Sequence, residues 1–143
     1  RITSVVAESR ILQKIQAITD SLSKLEELAR MDRGTFLSDF RSVDSAKYNL
    51  QTSIEAMIDI CNHIISRRRL RIPATNVESF EIVSETGLLP ADALPVYRSM
   101  ARFRNRIVHM YDEVDDSQIH EILQNRLGDI RAFVQSVVNT CWS

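Results

Sequence analysis

Glycine and proline are scarce, with three of each in 143 residues. That shortage leaves no glycine-rich phosphate loop, so the chain is not expected to bind a nucleotide through such a loop or to carry a cofactor. A chain poor in these breakers and rich in Leu, Ile, Ala, Glu and Arg reads as helical. There are two cysteines, Cys61 and Cys141. They are too few for a disulfide framework or a four-thiolate metal site. No two of the three histidines stand at metal-ligand spacing with a carboxylate partner, and no metal is expected. No apolar run approaches the ~18 residues of a membrane helix, and no signal-peptide pattern is present. These absences predict a protein of the reducing cytoplasm with no membrane partner. Net charge is nearly absent too. Eighteen Lys and Arg against nineteen Asp and Glu leave −1, so no global positive field attracts nucleic acid, and any such contact must be local. The chain opens at Arg1 rather than Met, from which a short preceding start or tag is expected.

What is present is helix-forming. Apolar residues recur every three or four positions from Ile2, Val5 and Val6 through Ile11, Leu12, Ile15, Ile18, Leu22, Leu25, Leu28 and Ala29, which predicts an amphipathic helix over residues 2–30 with Gly34 as its stop. A second helix is predicted from Thr35 or Ser38 to Arg67, with Val43, Ala46, Leu50, Ile54, Met57, Ile58, Cys61, Ile64 and Ile65 as its stripe. Cys61 on that stripe reads as a buried free thiol. Residues 70–74 form a connector, because Pro73 disfavours helix at Ile72. Residues 76–86 predict a short helix with Asn76 as N-cap and Gly87 as its end. A fourth helix opens at Asp92 or Pro95 and runs to between His109 and Tyr111. A fifth spans residues 116–141, with Ile119, Ile122, Leu123, Leu127, Ile130, Phe133, Val134, Val137 and Val138 inward. Nothing alternates with period two. The expected fold is all-α, an antiparallel up-and-down bundle of about five helices, with residues 1–143 as a single domain. A chain of this length buries roughly two thirds of its unfolded surface.

The segment Arg104-Asn105-Arg106-Ile107-Val108-His109-Met110-Tyr111 places a permanent cation, a titratable imidazole and a phenol within eight residues. Arg104 can fork onto a phosphate, and His109 can exchange a proton near neutral pH. Together they are the minimum set for cutting a phosphodiester without a metal. The ordinary alternative is that Arg104 pairs a carboxylate and His109 sits at a helix end. Geometry sets a condition. Five residues at about 100° each leave Arg104 and His109 about 140° apart around a straight helix, whereas Arg104 and Tyr111 differ by about 20°. Either the helix ends near His109, or a two-fold partner supplies a second copy of the motif.

Arg-Asn-x-x-x-His-x-Tyr followed by Asp112-Glu113-Val114-Asp115 resembles the signature of HEPN-domain ribonucleases, and more narrowly of the HepT toxins that are paired with MntA-type nucleotidyltransferase antitoxins. Other segments carry the resemblance further. Asn49-Leu50-Gln51, Ile54-Glu55-Ala56 and Asp59-Ile60-Cys61-Asn62-His63-Ile64 look like that family's long second helix. Leu70-Arg71-Ile72-Pro73 and Glu78-Ser79-Phe80-Glu81-Ile82-Val83 look like its connector and short helix. Gly87-Leu88-Leu89-Pro90 and Met100-Ala101-Arg102-Phe103-Arg104-Asn105 continue the match, which runs over residues 8–140.

The resemblance implies a metal-independent endoribonuclease toxin, acting on mRNA or tRNA, with two motifs facing one another across the groove of a homodimer or higher oligomer. His109 would serve as base toward the ribose 2′-OH or as acid toward the leaving oxygen. Arg104 would steady the charge on phosphorus. Asn105 is assigned to orienting the phosphate or the histidine. Because the nucleophile belongs to the substrate, RNA is cut and DNA is not, and products carry a 2′,3′-cyclic phosphate. The resemblance also implies that the MntA-like partner transfers AMP onto Tyr111, whose added charge and bulk block the groove. A phenol that packs its ring and exposes its hydroxyl is the plainer alternative.

Arg102, Arg106 and Arg71 are possible RNA contacts. Arg102 and Arg106 could equally pair with Asp112, Glu113 or Asp115. The run Arg67-Arg68-Arg69 follows a long helix and reads first as a complement to its negative end. His63 reads as a core or interface histidine and His120 as solvated. The rival to an enzyme is a non-catalytic helical module that partners a nucleotidyltransferase.

Overall fold

A computed structural model of the chain describes the backbone of residues 2–142 and the side chains of residues 9–142. The expected stripe positions Ile2, Val5 and Val6 lie outside the described side chains. Seven α-helices are present among the described residues, with no strand: α1 Ile2–Ala29, α2 Arg33–Ser38, α3 Phe40–Arg67, α4 Asn76–Glu85, α5 Leu94–His109, α6 Asp116–Asn125 and α7 Leu127–Trp142. Single 3-10 turns, Ala91–Ala93 and Tyr111–Glu113, lead into and out of α5.

The pattern of the sequence explains the long pair. The α1 stripe buries Ile11, Ile18, Leu22 and Leu25, and the α3 stripe buries Val43, Ala46, Leu50, Ile54, Met57, Cys61 and Ile64. Lys14 pairs with Asp59 and Ser21 bonds Thr52, so rising numbers on one helix meet falling numbers on the other. The two are therefore antiparallel. The same test holds for α5, where Arg104 meets Glu55 and Tyr111 meets Asp44. It holds for the last arm, where Gln124 bonds the Ala29 carbonyl and Arg131 pairs with Glu26. An aromatic cluster closes the bundle: Phe80 of α4 stacks on Tyr97 of α5 at 5.4 Å between centroids, and Phe133 of α7 meets both edge-on. Buried thus, the Tyr97 hydroxyl is pushed up to about 12, and burial also raises the Cys61 thiol.

Helix ends follow local chemistry, with some departures from expectation. Gly34 lies inside the short α2, because Asp32 accepts from the Thr35 amide and starts a new helix there. Asp39 then caps α3 through the Arg41 amide and the Ser42 hydroxyl. Thr75, not Asn76, caps α4, accepting from the Glu78 amide while the Glu78 carboxylate accepts from the Ala74 amide. Gly87, with φ of 82°, turns the chain out of α4 as expected. The end of α3 uses Arg69 in the left-handed region, φ 55°, and the Leu70 amide reaches back to the Ile65 carbonyl. The last expected helix is two helices. Arg126, at φ −121° and ψ −5°, breaks it. The break lets Ile119 and Leu123 pack inward on α6 while Phe133 turns toward Phe80 and Tyr97.

Candidate ribonuclease site

The site lies along the seam between α3 and α5. On α3, Asp44, Lys47, Gln51 and Glu55 follow one another at helical spacing, forming a polar ridge beside the apolar stripe. Asp44 and Glu55 are eleven residues apart, which is about 16 Å along the helix and nearly the same face. These are the two stations to which α5 and its following turn are tied.

At the first station Arg104 donates to Glu55 twice, from Nε at 3.0 Å and from Nη2 at 2.7 Å, both onto Oε2. Its Nη1 donates to the Asn105 side-chain oxygen at 3.2 Å. Gln51 also donates to Glu55, which holds the carboxylate in place. A guanidinium has five N–H donors. Three are engaged here, and two remain, one on each terminal nitrogen, with no partner among the described residues. The side chain is 23% exposed, so the cation is half-buried, and its bonds to Glu55 and Asn105 fix it. The ordinary alternative, an arginine paired to a carboxylate, is thus the observed geometry, and it leaves two of the five donors unused.

At the second station the helix stops. His109 is the last residue of α5, and Met110, at φ −138° and ψ 46°, turns the chain into the 3-10 segment Tyr111–Glu113. Of the two ways to reconcile the motif, the helix end is the one within this chain. The argument that Arg104 and Tyr111 share a stripe about 20° apart therefore fails, since Tyr111 is no longer on that helix. His109 is exposed and makes no hydrogen bond or ion pair with any described residue. Tyr111 points back to α3. Its hydroxyl donates to Asp44 Oδ1 at 2.6 Å, and its ring lies under Lys47 Nζ, 4.4 Å from the centroid. Lys47 is only 5% exposed. It is held by Asp116 at 3.3 Å and by the Tyr111 carbonyl at 3.5 Å. Burial first, and then the hydrogen bond to Asp44, push the Tyr111 phenol well above its usual value, so it rests neutral.

The other predicted residues fall in different places. Arg102 is exposed and Arg106 half-buried; neither pairs with Asp112, Glu113 or Asp115. Asp115 instead caps α6 through Ser117. Arg71 lies beyond the far end of α3 and is tied to α4, 2.7 Å from Glu85 and 3.5 Å from Glu78. That holds it remote from Tyr111. Arg67, Arg68 and Arg69 are exposed at the close of α3. His63 borders a polar cavity between α1 and α3 with Arg10, Lys14, Asp59 and Asn62. His120 is half-buried rather than fully solvated: its ring packs 5.7 Å from that of Phe36, where α6 meets α2. An apolar cavity of about 300 Å³ between α3, α5, α6 and α7 is lined by Leu50, Ile54, Met100, Phe103, Ile122 and Ile130, and includes no motif residue.

Sequence reasoning missed Asp44 and Lys47 and gave Glu55 no role. Their one signal was the polar ridge at three- and four-residue spacing, which any solvated helix face shares.

Known proteins are similar to this chain in architecture and in sequence. A family model described as Ribonuclease HepT-like matches residues 18–137. The mRNA nuclease HepT of Shewanella oneidensis is 30% identical over 127 residues, covering 89% of this chain and 95% of that protein. The tRNA nuclease HepT of Aphanizomenon flos-aquae is 29% identical over 136 residues, covering 95% of this chain and 90% of its own. A solved structure of the tri-AMPylated Shewanella oneidensis HEPN toxin in complex with MNT antitoxin superposes with a TM-score of 0.84 at 29% identity, over 91% of this chain and 97% of that one. With the family model spanning most of its length, the chain belongs to the HepT-like ribonuclease family.

Proposed function

We infer that this chain is an RNA endonuclease, the toxin of a toxin–antitoxin pair, that cuts without a metal and is silenced by nucleotide transfer onto Tyr111. One observation carries the reading. Arg104 is clamped by Glu55 and Asn105 with two donors left unbonded, in the same helix that ends on an exposed, unengaged His109. A fixed fork of this kind binds two non-bridging phosphate oxygens without first having to order its side chain. His109 removes the proton of the ribose 2′-OH or delivers one to the leaving oxygen, a step typically worth about 10²–10⁴-fold. The 2′-oxygen attacks the adjacent phosphorus, the 5′-oxygen leaves, and a 2′,3′-cyclic phosphate remains. Arg104 balances the charge that accumulates on the equatorial oxygens. Asn105 holds Arg104. Arg102 and Arg106, both unpaired and one turn apart, contact flanking phosphates. Arg71 serves the connector rather than the RNA.

The chain acts in the cytoplasm as one domain and as a homodimer. Val108, Met110 and Tyr111 at the end of α5, with Phe40 and Tyr48 on the nearby half of α3, leave large apolar side chains exposed beside the motif. A second copy packed there would bring two motifs to one groove. The partner antitoxin is a nucleotidyltransferase, a reading supported by the complex of the tri-AMPylated Shewanella toxin with MNT antitoxin. AMP on Tyr111 adds a negative phosphodiester and a nucleoside at the mouth of that groove, repelling and occluding RNA.

The test is cleavage of tRNA and mRNA by purified, unmodified protein in EDTA. Wild type is expected to cut and leave cyclic phosphate ends, while Arg104→Ala and His109→Ala stay folded and inactive. A wild-type protein that cuts only with added divalent metal refutes the metal-independent step. One that never cuts, even when shown by intact mass to be unmodified, returns the reading to a non-catalytic module. Co-expression with the partner is expected to add adenylyl mass to wild type and not to Tyr111→Phe.

A further inference from the structure

Nucleotide transfer onto a tyrosine has a chemical requirement that the acceptor itself must meet. The phenolic oxygen forms a bond to the α-phosphorus of a nucleoside triphosphate. The bond from that phosphorus to the bridging oxygen breaks, pyrophosphate leaves with the electron pair, and the phenolic proton must go to a base. A tyrosine phenol is neutral at physiological pH, and at Tyr111 burial and the bond to Asp44 hold its proton more tightly still, so the proton does not leave beforehand. We propose that Asp44 is the general base for this transfer, so that the toxin carries a catalytic group for its own modification. The proposal rests on Tyr111 being the acceptor.

The geometry favours Asp44 over every neighbour. Its Oδ1 accepts the Tyr111 hydroxyl proton at 2.6 Å, the short distance of a bond to an ionised acceptor. With the proton aimed at Asp44, the oxygen keeps its lone pairs for an incoming donor, and Tyr111 is exposed. Asp44 is itself exposed, so it can pass the proton on to water. Lys47 lies over the ring face, not at the oxygen, and is ion-paired to Asp116. Asp112 and Asp116 are near enough to act on the phenol through charge but make no hydrogen bond to it. Lys47 is the positioning residue. By holding both the Tyr111 ring and its carbonyl, it fixes the hydroxyl against Asp44.

A base and a simple latch make different demands on the side chain at position 44. Asp44→Asn keeps the shape and an oxygen to accept the hydrogen bond but loses the basicity. Wild type, Asp44→Asn, Asp44→Glu and Tyr111→Phe are incubated with the partner nucleotidyltransferase, magnesium and ATP. Initial rates are read by intact mass, the site by peptide mass spectrometry, partner affinity by calorimetry and folding by thermal melting. Asp44→Asn is expected to slow transfer by about 10²-fold, with melting and partner affinity unchanged, and Asp44→Glu to restore part of the rate. Transfer to Asp44→Asn within about twofold of wild type overturns the proposal, as does a loss of rate that only tracks weaker folding or weaker partner binding. If wild type gains no mass on Tyr111, the acceptor reading has failed and the base falls with it. That outcome is distinct, because it appears in the wild-type sample.

Discussion

Arg104 shows why one residue can satisfy a structural and a catalytic account together. Its ion pair with Glu55 is half-buried, where charge-assisted bonds hold geometry better than at an open surface. The planar guanidinium spends one edge on Glu55 and keeps another for phosphate. A lysine has the charge but only a single point of attachment. Arg104→Lys is therefore expected to lose cleavage nearly as completely as Arg104→Ala, with single-turnover rates down by about 10²-fold or more. The measurement is single-turnover cleavage of a short RNA alongside thermal melting. Retention of most activity by the lysine variant would mean that charge alone suffices and that the fork has no role. Truncation to alanine also leaves Glu55 without its partner, so a modest loss of stability is expected there, in contrast to the exposed His109.

Helix ends place the functional groups. Asp39 starts α3 a turn before Asp44, and Asp115 starts α6 directly after the Tyr111 turn. Both carboxyls are held below their usual value: Asp39 mainly by the Ser42 hydroxyl, Asp115 mainly by the Ser117 amide and then its hydroxyl. A carboxylate lowered in the folded state contributes stability that is full above the ordinary carboxylate value near pH ~4 and is lost as pH falls through the lowered one. Acid should therefore weaken the two caps that flank the site. In urea melts from about pH 6 to about pH 3, Asp39→Ala and Asp115→Ala are expected to be less stable at the upper end and to lose less on acidification than wild type. Parallel curves for variant and wild type would show that these caps carry no linked proton.

For the whole molecule, the single chain brings Arg104 and Tyr111 to one face of α3 but keeps their anchors, Glu55 and Asp44, about 16 Å apart. Exposed apolar side chains, Val108 and Met110, stand directly beside the motif in the chain. A second copy covering them is expected to complete the cleft. Sedimentation at micromolar concentration should give a dimer, and Met110→Glu or Val108→Glu should shift it toward monomer while cutting activity. A monomer with full cleavage activity would end the two-motif model. No helix among the described residues is long and apolar enough to cross a membrane.

The helices were legible because helix formation is local. A stripe such as Ile18, Leu22 and Leu25, or Ile54, Met57 and Cys61, needs only its own spacing to declare which face is buried. Glycine at 87 and the stop near His109 were legible for the same reason. The short α2 and the break at Arg126 were not, since each is set by what the chain must pack against on either side. At the site, the motif named Arg104, His109 and Tyr111, but their partners stand 49 and 67 residues away on another helix. Nothing in Asp44, Lys47 or Glu55 distinguishes them, as sequence, from a solvated helix face. The antiparallel register of α3 and α5 decides that Glu55 meets a guanidinium, that Asp44 meets a phenol, and that Lys47 is buried between a ring and a carboxylate. Periodicity is a property of each segment alone, whereas a partner is chosen by which segments abut and in what register, and only the packed fold supplies that.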